Sequence, residues 1–163
     1  MTDREESQGF LVDGTAGRLA RWLRILGLDA DYVSTGDAAE IARRARRSGR
    51  TVITRNRLLA KRLGGQAMLL SSDRLDDQIE QVVEAVGRER CAPFSRCSLC
   101  NVRLVPIPRD LVRGRVPDYV WRHHRSFALC PLCGRYYWRG THSEKMQQVI
   151  DRTVGKLPGG AAS

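Results

Sequence analysis

At 163 residues, 42% of them hydrophobic, the chain has material for one ordinary core, or for a small domain with an appendage. No stretch approaches the ~20 apolar residues of a membrane span, and the first ten residues are polar and acidic rather than a signal peptide, so a cytoplasmic, reducing setting is expected. The net charge is +10, and 25 of the 28 basic residues are arginine, whose planar guanidinium grips phosphate at two points and stacks on bases.

Residues 1–8 read as an unstructured lead. Phe10-Leu11-Val12 is a short buried strand that ends on Asp13. Gly14-Thr15 makes a turn, and a helix follows on which Leu19, Trp22, Leu23 and Leu26 share one face. Arg21 and Arg24 point away from that face, Arg18 lies at its edge, and Gly27 is placed to end the helix. An acid at the junction of a buried strand and a helix stands where open α/β sheets bind ligands. Asp is also a good N-cap, which is the simpler alternative.

Residues 30–34 form a second strand, and Asp37 opens a helix that Gly49 ends. The arginines at 43, 44, 46, 47 and 50 read most simply as a solvated face, with RNA-backbone contact as the second choice. Residues 51–54 are short and β-branched, a third strand. A short helix spans 56–63 and a fourth strand spans 67–70. Ser72-Asp73 then opens a long helix with Leu75, Ile79, Val82, Val83 and Val86 on one face. Strand followed by helix, four times over, predicts an α/β fold with a parallel four-stranded sheet.

In such a sheet all strand exits share one edge. Asp13, Asp37, Thr54-Arg55-Asn56 and Asp73 therefore converge there, and acids distant in sequence could meet around a divalent ion. Mg²⁺ takes one or two protein carboxylates plus water and phosphate oxygens, and such a site can activate water against a phosphodiester. Glu40 could join them, or simply pair with Arg43 or Arg44. Asp37 and Asp73 could equally be helix caps, and Asp76 and Asp77 first-turn acids.

Past Gly87 the composition changes. Residues 1–90 carry 16 basic and 14 acidic groups; residues 91–163 carry 12 and 4, together with Tyr119, Trp121, Phe127, Tyr136, Tyr137 and Trp138. Basic and aromatic residues interleaved suit a polyanion with stackable bases. Residues 88–93 are a short hinge. Cys97-x-x-Cys100 and Cys130-x-x-Cys133 follow, with 29 residues between the pairs. In a reducing compartment these four thiols predict a structural zinc ribbon rather than disulfides. The gap holds an extended arm, residues 102–108, and a loop, residues 110–126. Cys91 is left over, His123, His124 and His142 are not needed as ligands, and residues 152–163 read as a tail.

The segments FLVDGTAGRLARWLRILGLDADYV, GDAAEIARRARRSGRTVITRNRLLA, RCSLCN, VPDYV and FALCPLCGRYYWRGTH together resemble the Mut-seven carboxy-terminal RNase domain family, over about residues 9–150. The resemblance implies a PIN-like three-layer nuclease domain, residues 9–90, followed by a β-rich zinc ribbon with a C-terminal extension, residues 91–150. It also implies a Mg²⁺ or Mn²⁺ site of acidic residues and ribonuclease activity. Asp13 then matches the first-strand acid and Asp37 the acid opening the second helix. Asn56 stands where the family's T-R-D motif has its acid, so the site has one charge fewer, and Asp73 could compensate as the fourth-strand acid.

The expected function is a metal-dependent ribonuclease, an endonuclease rather than an exonuclease. Asp13 and Asp37 hold the ion, Asn56 and Asp73 assist, and Thr54 orients the scissile phosphate. Arg18, Arg21 and Arg55 contact the backbone, while Arg135 and Trp138 of the ribbon dock RNA, a ribosome or another ribonucleoprotein. Two alternatives stay open: an RNA- or ribosome-binding protein whose nuclease centre is weak or inactive, and a protein–protein adaptor that works through the ribbon.

Overall fold

The computed structural model describes residues 9–138 and 144–155. Four short strands, β1 (Phe10–Asp13), β2 (Ala30–Val33), β3 (Thr51–Thr54) and β4 (Ala67–Leu69), pair in parallel in the order β2-β1-β3-β4. Side chains alternate across the pleat. Phe10, Val12 and Ile53 therefore pack towards α1 (Gly17–Ile25) and α4 (Leu75–Val86). Leu11 and Val52 pack towards α2 (Ala38–Ser48) and α3 (Arg57–Leu63) on the other face. The result is the three-layer α/β arrangement expected from the strand–helix alternation.

Helix α1 buries the face that its spacing implies: Leu19, Leu23 and Leu26 are fully buried, and Trp22 packs beside them. Each such leucine contributes ~1.5–3 kcal/mol by leaving water. The helix ends in a Schellman turn, with the Gly27 N–H donating to Arg24 O at 2.9 Å and the Leu28 N–H to Leu23 O at 2.8 Å. Gly27 has φ +83°, and a Cβ there would collide with the Ala92 carbonyl. Ala92 comes from the segment read as a hinge. That segment is tied down, since the Ala92 N–H donates to Leu26 O (2.9 Å) and the Phe94 N–H to Ile25 O (2.8 Å).

The second unit is a small antiparallel sheet, β5 (Val105–Ile107), β6 (Phe127–Leu129) and β7 (Tyr136–Trp138), in that order. Its core is Val112, Val120 and Phe127. The loop expected at 110–126 instead holds most of a 3-10 turn, Arg109–Val112, and a short helix, α5 (Asp118–His123). Burial of Val112 and Val120 against the sheet organises what polar composition alone suggests is irregular.

A further helix, α6 (Glu144–Thr153), follows the ribbon and returns to the first core. Val149 and Ile150 are buried there, and Arg152 pairs with Asp76 (3.4 Å) and Glu80 (2.8 Å) of α4. The expected tail thus begins later than residue 152: Thr153 is buried and its hydroxyl donates to Val149 O at 2.7 Å. The remaining tail, 156–163, and the lead, 1–8, lie outside the described residues.

The two units lock together at the amino end of β2. Asn101, with φ 63°, accepts the Ala30 N–H on Oδ1 (3.1 Å) and donates through Nδ2 to Asp29 (2.8 Å) and Asp31 (3.0 Å). Arg24 of α1 donates to the carbonyls of Ser98 (3.3 Å) and Leu99 (2.8 Å), inside the first cysteine pair. Asp29 also takes Arg50 at 2.6 Å; burial would raise its pKa, but the Arg50 and Asn101 donors hold it below the ordinary value. No described helix is long and apolar enough to cross a membrane.

Candidate functional site

Strand β1 lies between β2 and β3, so successive connections leave it in opposite directions. The crevice at the carboxyl ends of β1 and β3 is the switch point at which open α/β sheets bind ligands. Asp13 and Thr54 end these two strands, and both are buried, Asp13 at 3% exposure. Asp13 follows Leu11 by two residues, as Thr54 follows Val52, so both side chains belong to the face covered by α2 and α3.

Two threonines hold the Asp13 carboxylate. Its Oδ1 accepts the Thr15 N–H at 2.9 Å and the Thr15 hydroxyl; its Oδ2 accepts the Thr54 hydroxyl at 2.5 Å. Each hydroxyl is itself aimed by a backbone amide, Arg55 N–H on Thr15 Oγ1 (3.1 Å) and Asn56 N–H on Thr54 Oγ1 (2.9 Å). With an amide on the oxygen, the single hydroxyl proton goes to the carboxylate. Asp13 thereby also caps the 3-10 turn Gly14–Ala16, so the simple capping role holds. The capping bond alone does not account for the Thr54 contact from a separate strand.

A hollow of about 280 Å³ opens on Asp13, walled by Thr15, Thr35, Ile41, Asn56 and Leu59 among others. Asn56 caps α3, its Oδ1 accepting the N–H groups of Leu58 (3.0 Å) and Leu59 (3.1 Å), so the one oxygen it could offer a cation is engaged by the helix start. Asp37 caps α2 with Oδ1 accepting the Ala39 N–H at 2.8 Å; it is exposed beside this hollow, outside its wall. Glu40 is held by Arg43 and by Arg44 at 2.6 Å.

A second, smaller hollow of about 130 Å³ lies across Thr15, lined by Arg18, Arg55, Asp73 and Gln78. Asp13, Thr54 and Asn56 are thus brought together, while Asp73 joins two of the expected RNA-binding arginines instead. Arg21 is exposed on α1 and lines neither hollow. Thr15 borders both hollows, whereas its sequence context, Gly14-Thr15, indicates only a turn. Among the described residues, Asp13 is the one carboxylate in the wall of the larger hollow, a donor suited to a hard cation that keeps most of its waters, not to an all-protein cage.

The four cysteines converge. Their sulfurs all lie within 4.8 Å of one another, the only such group of three or more His, Cys, Asp or Glu ligands among the described residues. Cys97 Sγ and Cys133 Sγ are 3.8 Å apart, the edge of a tetrahedron with bonds of about 2.3 Å, as zinc–thiolate sites have. Two knuckles present the sulfurs, with the Cys100 N–H donating to Cys97 Sγ (3.3 Å) and the Cys133 N–H to Cys130 Sγ (3.4 Å).

Burial pushes the Cys97 thiol up, but the Tyr137 hydroxyl at 3.1 Å and the knuckle amides outweigh it and bring it down to about 6. Cys100 is pushed up to about 12 by burial and by the neighbouring sulfurs. Four thiols so crowded do not all ionise by themselves; a bound divalent cation such as zinc would let them. All five cysteines are free, and burial raises Cys91.

Arg135 is exposed beside the second knuckle, and Trp138 packs against the small core. His123 bonds Tyr119 O through Nδ1 (2.8 Å), and His142 lies outside the described residues.

No curated protein and no solved structure matches the chain. A family model does, the Mut7-C RNAse domain, over residues 8–150. The matched span contains both the Asp13 rim and the cysteine cluster, and the chain belongs to the Mut7-C RNAse domain family.

Proposed function

We propose that the protein is a metal-dependent ribonuclease, an endonuclease that hydrolyses RNA phosphodiesters at the carboxyl rim of its parallel sheet. The observation that carries this is Asp13, a buried carboxylate at the switch point, fixed by two threonine hydroxyls in a chain of an RNase-domain family. Asp13 and Asp37 would hold a Mg²⁺ or Mn²⁺ ion, which when bound supplies an activated water and offsets phosphate charge. Thr15 and Thr54 keep the Asp13 oxygens in place. Arg18 and Arg55, across Thr15, hold the neighbouring phosphate, with Arg21 further along the strand and Asn56 and Asp73 in supporting positions. Zinc in the cysteine cluster keeps the ribbon folded. Arg135 and Trp138 are the ribbon's contribution to an RNA or ribonucleoprotein partner. A cytoplasmic setting agrees with five free cysteines.

Cleavage of single-stranded RNA by purified protein across a Mn²⁺ series tests this. Cleavage should require the ion, and Asp13→Asn should lower it by about 100-fold or more. Equal rates for the two proteins would overturn the assignment. Asn56 favours one other reading, an RNA-binding protein with a weakened centre, because the position brings no charge and its oxygen caps α3. That reading predicts salt-sensitive RNA affinity with no cleavage at any Mn²⁺ concentration.

A further inference from the structure

The segment between β5 and β6 has two unlike sides. Inward, Val112 and Val120 are buried in the small core. The segment is also closed on itself: the Arg109 guanidinium lies 3.9 Å over the Trp121 ring and donates to Trp121 O at 2.8 Å, while Trp121 Nε1–H donates to Arg109 O at 3.2 Å. Outward, Tyr119 is 69% exposed, the most exposed aromatic among the described residues. Its ring rests on that of His123, with centroids 4.0 Å apart and planes inclined by 31°. The His123 Nδ1–H bond to Tyr119 O fixes this pair within the helix. The exposed ring face is open to a partner that stacks on it.

The charges around the ring say which partner. Residues 109–126 carry five arginines against two aspartates, and one of those aspartates, Asp118, is paired with Arg122 at 2.6 Å. Arg113, Arg115 and Arg125 are exposed and take part in no ion pair among the described residues. An exposed aromatic shelf among uncompensated arginines is what a single strand needs: phosphates meet the guanidinium groups while an unstacked base lies on the ring. A duplex keeps its base faces covered and cannot use the shelf.

We propose that α5 and the turn preceding it form a second RNA-docking surface, distinct from the Asp13 rim, on which Tyr119 stacks a base of single-stranded RNA. The proposal names the substrate class of the nuclease reading and rests on it only for the identity of the polyanion. It also carries a geometric consequence. The ribbon is fastened at the amino end of β2, through Asn101 on Ala30, whereas Asp13 sits at the carboxyl end of β1. An RNA that meets both surfaces must extend past the sheet, so affinity rises with strand length.

The test is fluorescence anisotropy with a labelled single-stranded RNA of about 20 nucleotides, using full-length Asp13→Asn protein so that no cleavage intervenes. Adding Tyr119→Ala should weaken binding about ten-fold, the effect of one lost base stack. Tyr119→Phe should bind within about two-fold of its parent. Arg115→Gln with Arg125→Gln should flatten the salt dependence. Thermal melting checks that these surface substitutions leave the fold intact. Unchanged affinity in Tyr119→Ala, or an equal loss towards a fully paired duplex, overturns the proposal. So does a surface that binds an acidic peptide and not RNA. Loss of affinity in Tyr119→Ala, with no cleavage by the wild type, would leave this surface standing and remove the nuclease reading; cleavage with unchanged affinity would do the reverse.

Discussion

Asp13 is held from both sides before any ligand arrives. Thr54 is fully buried and donates to Oδ2, so Thr54→Val keeps the volume but leaves that oxygen without its donor. The cost should be about 1–3 kcal/mol in urea denaturation, together with a higher Mn²⁺ requirement for cleavage. Asn56 gives the complementary substitution. Asn56→Asp preserves the helix cap, since the two residues cap about equally well, and adds a negative charge to the wall of the Asp13 hollow. It should lower the Mn²⁺ concentration for half-maximal cleavage and leave the melting temperature nearly unchanged. No change in the Mn²⁺ requirement would remove Asn56 from the metal site. Asp13 was legible because an acid that closes a buried strand stands out. Thr15 was not: a hydroxyl two residues after an Asp is ordinary turn chemistry, and its tie to Arg55 depends on a strand 40 residues away.

The elements are bound to one another by a few backbone positions. Gly27 joins α1 to segment 88–93, and its left-handed conformation and the Ala92 carbonyl leave no room for a side chain. Gly27→Ala should destabilise the protein by at least about 1–3 kcal/mol, the cost of backbone strain alone, as read by chemical denaturation. Asn101→Ala should expose the Ala30 amide to hydrogen exchange and cost about 1–3 kcal/mol, with the metal content of the ribbon unchanged. Stripping that metal with a strong chelator should unfold β5–β7 and raise exchange at Ala30 too, because the same knuckle that holds the sulfurs carries Asn101. Exchange at Ala30 unaffected by chelation would show that the two units are independent. Helices α1 and α4 are readable from 3.6-residue spacing, and α2 from its ends, Asp37 and Gly49. Helix α5 is too short for a period to show, and α6 carries its apolar pair, Val149 and Ile150, at the end of a polar stretch with no apolar period of its own. What makes each a helix is a buried surface contributed by residues far away in sequence.

At the scale of the whole molecule, the parallel sheet, its strand number and the four-cysteine cluster followed from pattern and spacing. How the ribbon sits on the sheet did not, because it depends on Asn101, Arg24 and Asp29 meeting across some 70 residues. That arrangement places an arginine-rich unit with a four-cysteine cluster at one end of the sheet and the Asp13 crevice at the other. The proposed division of labour is RNA capture on the ribbon and hydrolysis at the rim. The claim beneath this is that a divalent ion rests against Asp13, and anomalous scattering at the manganese edge from crystals soaked in Mn²⁺ examines it most directly. A peak about 2.1 Å from an Asp13 oxygen, on the Asp37 side of the hollow, is the predicted result. Crystals with no manganese at Asp13, at a Mn²⁺ concentration that supports cleavage in solution, would contradict it.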